Sequence, residues 1–402
     1  MNQLHKFLLI FLVYLNCSSH ITLAHEEHTK PQEYSLAISV AFDAQGVLWR
    51  VREKDGLIFV DSSRDLAKTY SSPVQITPNV QKIGSGGEAR PKIAIGPEGN
   101  IYLTWTEALK KPFTGYIWFS RSINGGKSFE KPTIVHSDRA EITHRFDALN
   151  VSANGKITVT WVDKRDLIAA KTAGKPYEGA AIYYATSSNQ GASFAPEQKL
   201  ADSSCECCRI ALTNKPDGTV VAMWRHVFEG SERDHMMAEI PAQPNQAPVL
   251  KRATFGRWKI DGCPHHGAAL AVGGEGKDWW GYHMAWFDGG NDDSGKNASL
   301  FYARMDGEAW VSSPPKKFGK HSNQAGHPAL LSMGENVLLV WREVESKNTG
   351  QQNVIKGIFS DDGGRSWSDA KELVSSSSGK TDYPQLLANG NQGYLAWNTE
   401  KE

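Results

Sequence analysis

The chain has 402 residues, and its 44 basic side chains balance 44 acidic ones. A net charge of zero argues against nucleic acid or a polybasic membrane surface as partner, since both demand a surplus of Lys and Arg. A hydrophobic share of 40% and a charged share of 22% argue against wholesale disorder, while 37 Gly and 13 Trp suggest many short strands joined by tight turns.

The first element reads as an address. Lys6 precedes an apolar run from Phe7 to Leu15, and Thr22-Leu23-Ala24 presents small residues where a signal peptidase cuts. We expect residues 1–24 to be a cleaved leader, 25–35 an N-terminal segment and 36–402 a single domain, secreted or periplasmic. The apolar run is too short to span a membrane, and no later segment reads as transmembrane. Leu15-Asn16 before Cys17 is a poor lipoprotein signal. A cut after Ala24 would begin the mature chain at His25-Glu26-Glu27-His28. An amine with imidazoles is a weak candidate for copper or zinc, weighed against a plain exported terminus.

A repeat then organises the rest. Trp49, Trp105, Trp161, Trp224, Trp286, Trp341 and Trp397 recur every 55 to 63 residues. Each ends an alternating apolar run such as Ile101-Tyr102-Leu103-Thr104-Trp105, the period of a half-buried strand. A turn precedes each run and a shorter strand precedes each turn, so each unit opens with a hairpin. Later in the unit comes a second signature, Ser122-Ile123-Asn124-Gly125-Gly126-Lys127-Ser128-Phe129. It returns at Ser187 to Phe194 and Ser360 to Trp367, and in decayed form at Ser63 to Tyr70 and Met305 to Trp310. Asp or Asn can bond nearby backbone there, Gly can take a positive φ, and the aromatic can pack beneath the turn.

This pattern resembles the Asp box, the bacterial neuraminidase repeat, of sialidases and related β-propellers. The segments Cys205-Glu206-Cys207-Cys208 and Cys263-Pro264-His265-His266-Gly267 also resemble a subgroup of exported sialidase-like proteins. The resemblance implies an all-β propeller of four-stranded antiparallel blades around a channel. Seven inner hairpins favour seven blades, the last completed by residues before Leu36; six is the alternative, the number in sialidases. In an oxidising compartment the four remaining cysteines favour disulfides. The expected pairs are Cys205–Cys208 and Cys207–Cys263. The competing reading is a metal site to which His265 and His266 add ligands, so a metal ion is a possible cofactor.

The repeat also sets a functional face. Residues just before each first strand and just after each Trp should converge on one mouth of the channel. A sialidase-type site needs three arginines for a sugar carboxylate, a Tyr nucleophile with a Glu, and an Asp acid. Arg90, Arg225 and Arg342 are the candidate triad. Tyr383 is the candidate nucleophile with Glu343 or Glu107, and Asp163 or Asp288 the candidate acid. His226, His265, His266 and Asp288 are candidate substrate contacts; His265 and His266, with His25 and His28, are weak metal candidates. Blade-to-blade salt bridges are the competing structural reading of the same ring. Two functions follow: an exo-glycosidase acting on acidic sugars, or a non-catalytic propeller that binds a glycan, a protein or a metal.

Overall fold

The computed structural model describes residues 36–262, 264–274, 280–290, 297–347 and 350–400, and the backbone of 7–14. His25, His28 and Cys263 lie outside the described residues. The alternating runs form four-stranded antiparallel sheets in simple up-and-down order. Blade 1 is Ile38–Phe42, Leu48–Lys54, Leu57–Ser63 and Val74–Gln75. Blade 2 is Lys92–Ile95, Ile101–Ala108, Gly115–Ser122 and Thr133–Ile134. Blade 3 is His144–Val151, Ile157–Asp163, Ala180–Ser187 and Gln198–Ser204. Blade 4 is Ala211–Asn214, Val220–Arg225, His235–Glu239 and Leu250–Arg252. Blade 5 is Ala269–Gly273, Gly281–Asp288, Ser299–Asp306 and Lys316–Phe318. Blade 6 is Gly326–Met333, Asn336–Lys347, Gly350–Ser360 and Lys371–Ser376.

Six blades are therefore complete, which corrects the expectation of seven. The seventh hairpin, Gln385–Asn389 with Gln392–Glu400, acquires no antiparallel outer strands among the described residues. Its further neighbour among the described residues is Phe7–Tyr14, which pairs with Gln392–Glu400 in parallel, Phe7 opposite Gly393 and Tyr14 opposite Glu400. The leading strands of successive units still touch in chain order. Gln385–Asn389 touches the leading strands of both blade 6 and blade 1, which closes the ring.

Burial follows the repeat. Trp105, Trp161, Trp224, Trp286, Trp341 and Trp397 are all 5% exposed or less. They fill the layers between blades with the β-branched residues of the same strands, as Trp105 does with Val51, Ile58 and Val60 of blade 1. The one α-helix among the described residues, Arg165–Thr172, buries no side chain and sits between the second and third strands of blade 3. No described helix is long and apolar enough to cross a membrane.

The repeated turns share one set of bonds. In blade 2, Ser122 Oγ accepts from Gly126 N at 3.0 Å, and Asn124 Oδ1 accepts from Ser128 N at 3.1 Å. Ser187, Asn189, Gly191 and Ser193 repeat this, as do Ser360, Asp362, Gly364 and Ser366, and Ser63, Asp65, Ala67 and Thr69. Gly126 has φ +76°, and a Cβ there would lie 2.3 Å from the Trp49 ring of the previous blade. The turn thus requires glycine twice, for its left-handed backbone and for the close approach. In the decayed copy Ala67 adopts φ 69° nonetheless.

Candidate functional site at the channel mouth

Strand periodicity decides which candidate residues can act. Residues two apart on a strand share a face, whereas the residue directly after the Trp faces the other way. Asp163, two after Trp161, accepts from the indole Nε1 at 2.9 Å. It also accepts from Arg165 Nη2 at 2.8 Å and Arg165 N at 2.9 Å. Glu343, two after Trp341, accepts from that indole at 2.7 Å and from Lys320 N at 3.0 Å. Both carboxylates therefore anchor the inter-blade tryptophans, and both are at most 1% exposed. Glu107 accepts from Trp118 Nε1 at 2.7 Å. Asp288 is different. It accepts from Gly290 N at 2.8 Å, and burial pushes its carboxyl above the ordinary range.

The arginines one step after the Trp reach toward the next unit, and they are not equivalent. Arg225 is 1% exposed. Its guanidinium donates to three carbonyls: Arg233 O at 2.8 Å, Phe287 O at 2.8 Å and His266 O at 3.1 Å. Arg90 donates through Nη1 to Asp382 Oδ2 at 2.9 Å and to Ile38 O at 2.8 Å, and pairs through Nη2 with Asp382 Oδ1 at 2.8 Å. Two members of the expected triad are thus struts that lock neighbouring units. Arg342 is the third. It donates from Nε to Thr381 Oγ1 at 3.3 Å and from Nη2 to Asn353 Oδ1, and no carboxylate oxygen among the described residues comes within 4.0 Å of it. Burial lowers its pKa, partly offset by nearby Tyr383.

Tyr383 is packed on both sides. Its ring stacks on the His327 imidazole, 3.4 Å between centroids and 11° between planes. Its other side lies against Gly87, where a Cβ would sit 2.2 Å from the ring. Its carbonyl accepts from Arg90 Nη2 at 3.3 Å. His327 lies 4.9 Å from His266, whose ring stacks on Phe287 at 4.1 Å. Arg90, Tyr383, His327, His266 and Arg225 thus form one chain of contacts across the mouth. His265, with φ 52°, is exposed and stands outside it. His226 packs on Phe228 at 4.5 Å, and burial lowers its pKa to about 4.

Beneath them lies a group that sequence reasoning did not commit to. Glu88 is 6% exposed and takes four hydrogen bonds. Arg209 N and Gly267 N donate at 3.0 Å each, and Arg209 Nη1 and His327 Nδ1 lie at 3.2 Å. Burial pushes this carboxyl up, but Arg209 and His327 outweigh it and hold it well below the usual carboxylate range. Arg209 also donates to Pro328 O at 2.8 Å and Ala268 O at 3.3 Å. The Glu88–Arg209 pair thereby ties blade 2 to blades 4, 5 and 6 across the ring. Lys92 donates to Arg90 O, and burial with nearby Arg90 and Arg209 lowers its pKa to about 8. The phase of the repeat contained the signal, since Glu88 stands two residues before Arg90, in the segment that leads into the first strand of blade 2.

The cysteines lie between blades 3 and 4. Cys205, Cys207 and Cys208 are buried there, and the expected Cys205–Cys208 bond is not formed: the Sγ atoms stand 3.9 Å apart. A disulfide requires about 2.05 Å.

No protein-family model matches the chain, and no curated protein matches it. Solved structures do match in shape. One is the α-L-arabinofuranosidase of Fusarium graminearum with an iminosugar inhibitor, at 13% identity over 77% of this chain and 88% of that chain, with a TM-score of 0.50. Another is a Dyadobacter fermentans protein of unknown function, at 16% identity over 81% of this chain and 94% of that one, with a TM-score of 0.49. A Hadza microbial sialidase matches at 15% identity over 88% of this chain and 75% of its own, with a TM-score of 0.46. At these identities the likeness is one of fold.

Proposed function

We propose that the chain is an exported, sialidase-like propeller that binds an acidic glycan at the channel mouth, beside Arg342 and Tyr383. The observation that carries this reading is Arg342. Its guanidinium is partly desolvated, hydrogen-bonded only to neutral side-chain oxygens, and faces no carboxylate within 4.0 Å among the described residues. An incoming carboxylate would supply charge-assisted, bidentate bonds there. The repeated turns of blades 1, 2, 3 and 6 support the resemblance to Asp-box proteins.

Binding is favoured over hydrolysis by the state of the carboxylates. Asp163 and Glu343 are held by indoles, and Glu88 is held by Arg209, Gly267 and His327. None is placed to deprotonate a nucleophile. The test is calorimetric titration with N-acetylneuraminate and with glucuronate, alongside a fluorogenic sialoside. Arg342→Ala should weaken binding at least tenfold and leave the melting temperature nearly unchanged. Unchanged binding in that variant overturns the site. Cleavage of the sialoside by the wild type, lost in Tyr383→Phe, would replace binding with catalysis.

A further inference from the structure

His327 stands at a β-bulge in the first strand of blade 6, where the pairing slips between Gly326 and Ala329. Its backbone is left-handed, with φ 54°, a strained state for a residue with a side chain. The same bulge in blade 3 puts Phe146, with φ 57°, into the apolar core. Blade 6 uses it for a polar ring instead. Glu88 fixes the tautomer of that ring. A carboxylate only accepts, so the 3.2 Å contact puts the proton on Nδ1 and leaves the lone pair on Nε2. Nε2 makes no hydrogen bond among the described residues, and the side chain is 9% exposed. Burial, Arg209 and Arg342 together outweigh Glu88 and lower the imidazole pKa, so the ring is neutral at pH 7.

Two further groups adjoin it. Tyr383 stacks on the imidazole, its hydroxyl makes no hydrogen bond among the described residues, and burial raises its pKa, so the phenol keeps its proton. Arg342 stands opposite Gly326 in the strand register, next to His327, and donates to Thr381, two residues before Tyr383. A nitrogen lone pair, a phenol and a cation without a carboxylate are thereby held together by three different segments.

We propose that this mouth is a β-elimination site for glycans whose uronic acid residues are linked through O4. The proposal rests on the reading of Arg342 as the partner of a sugar carboxylate. Arg342 pairs with the uronate carboxylate and makes the adjacent C5–H more acidic. His327 Nε2 takes the C5 proton, and the C–H electron pair becomes the C4=C5 double bond. The C4–O bond breaks with its electrons on the departing oxygen, which takes the proton of Tyr383. Imidazolium and phenolate then return to their starting states by proton exchange with solvent. Nothing is oxidised or reduced, and no water attacks, so the step does not need the carboxylate base that hydrolysis lacks here.

The test incubates the full chain with hyaluronan, chondroitin, polygalacturonate and alginate, and follows the ultraviolet absorption and mass of unsaturated uronate products. The expected result is unsaturated product from at least one polymer and none from its carboxyl-reduced form. His327→Asn, which tolerates the left-handed backbone, and Tyr383→Phe should each lower kcat about a hundredfold or more with little change in KM. Glu88 is a positioning residue. Glu88→Gln removes the charge that favours imidazolium, so the acid limb of the kcat/KM profile should move to lower pH, whereas a purely structural role would leave it in place. The groups facing the ring there are Glu88, Arg209, His266, Arg342 and Tyr383. Uronate binding that depends on Arg342 but yields no unsaturated product overturns elimination and leaves the binding reading intact. Absence of any Arg342-dependent binding overturns both. Saturated products, or unsaturated product that persists in both variants, also overturn elimination. If His327→Asn does not fold, Tyr383→Phe and the carboxyl-reduced polymer decide.

Discussion

The outer turns and the channel mouth are built from the same repeat, yet they obey different rules. Each turn closes on itself. Ser, Asp or Asn, Gly and Ser or Thr bond within eight residues, so every copy can be built alike. The mouth closes across units. Glu88 bonds residues more than 100 positions away, and Arg90 reaches Asp382 across 292. Local bonding preserves a pattern in sequence, while long-range bonding lets each unit contribute something different. Repetition therefore marks what holds a blade, and departure from repetition marks what joins the ring.

Acid should test the two regions together, and with the largest effect. Burial lowers the pKa of His283, under the turn layer, to about 4 and that of His136, at the blade 2–3 junction, to about 3. The unfolded chain takes up these protons near pH 6.5 and the folded chain does not, so stability present above pH 6.5 is lost as pH falls. The two imidazoles alone imply a loss of about 5 kcal/mol between pH 6.5 and 4.5. Thermal melts across that range should show a steep fall, and a flat profile would mean that these rings are not held neutral.

Glu88→Ala comes next. It strands Arg209 and frees two backbone N–H groups, at a cost of about 3–5 kcal/mol by denaturant unfolding. A loss below 1 kcal/mol would show that the mouth is held by its turns after all. Gly126→Ala should cost about 2–3 kcal/mol, because it forces a left-handed alanine and drives a methyl into Trp49. Ala67→Gly, at the equivalent place in blade 1, should stay within about 0.5 kcal/mol. Relief of the positive φ there offsets the loss of a buried methyl and the extra chain entropy of glycine. If the two turns respond alike, the decayed copy is not strained in the way its backbone implies.

The sequence made the propeller legible because strand alternation and the tryptophan period are local signals. The seven inner hairpins and the turn bonds follow from them. The mouth was legible only in part. Phase alone brought Arg90, Arg225, Tyr383 and His266 to one face, but it could not separate a strut from a free cation. Asp163 and Glu343 carried a readable sign: a carboxylate two residues after a buried Trp returns to the indole's side of the strand. Glu88 was missed because its four donors come from three distant segments, none of which its neighbours in sequence reveal.

The parallel strand at the seventh sheet bears on the proposed export of the chain. Phe7–Tyr14 lies inside the expected leader, so cleavage after Ala24 and pairing with Gln392–Glu400 exclude each other in one molecule. Before processing, the leader would be sequestered as a strand. After processing, Gln392–Glu400 would keep its partner Gln385–Asn389 on one side and lose its neighbour on the other. Its outward amides and carbonyls would then form a seam open to strand addition, as unpaired sheet edges are. Removal of an address label would thereby create a place where another chain's strand can be received.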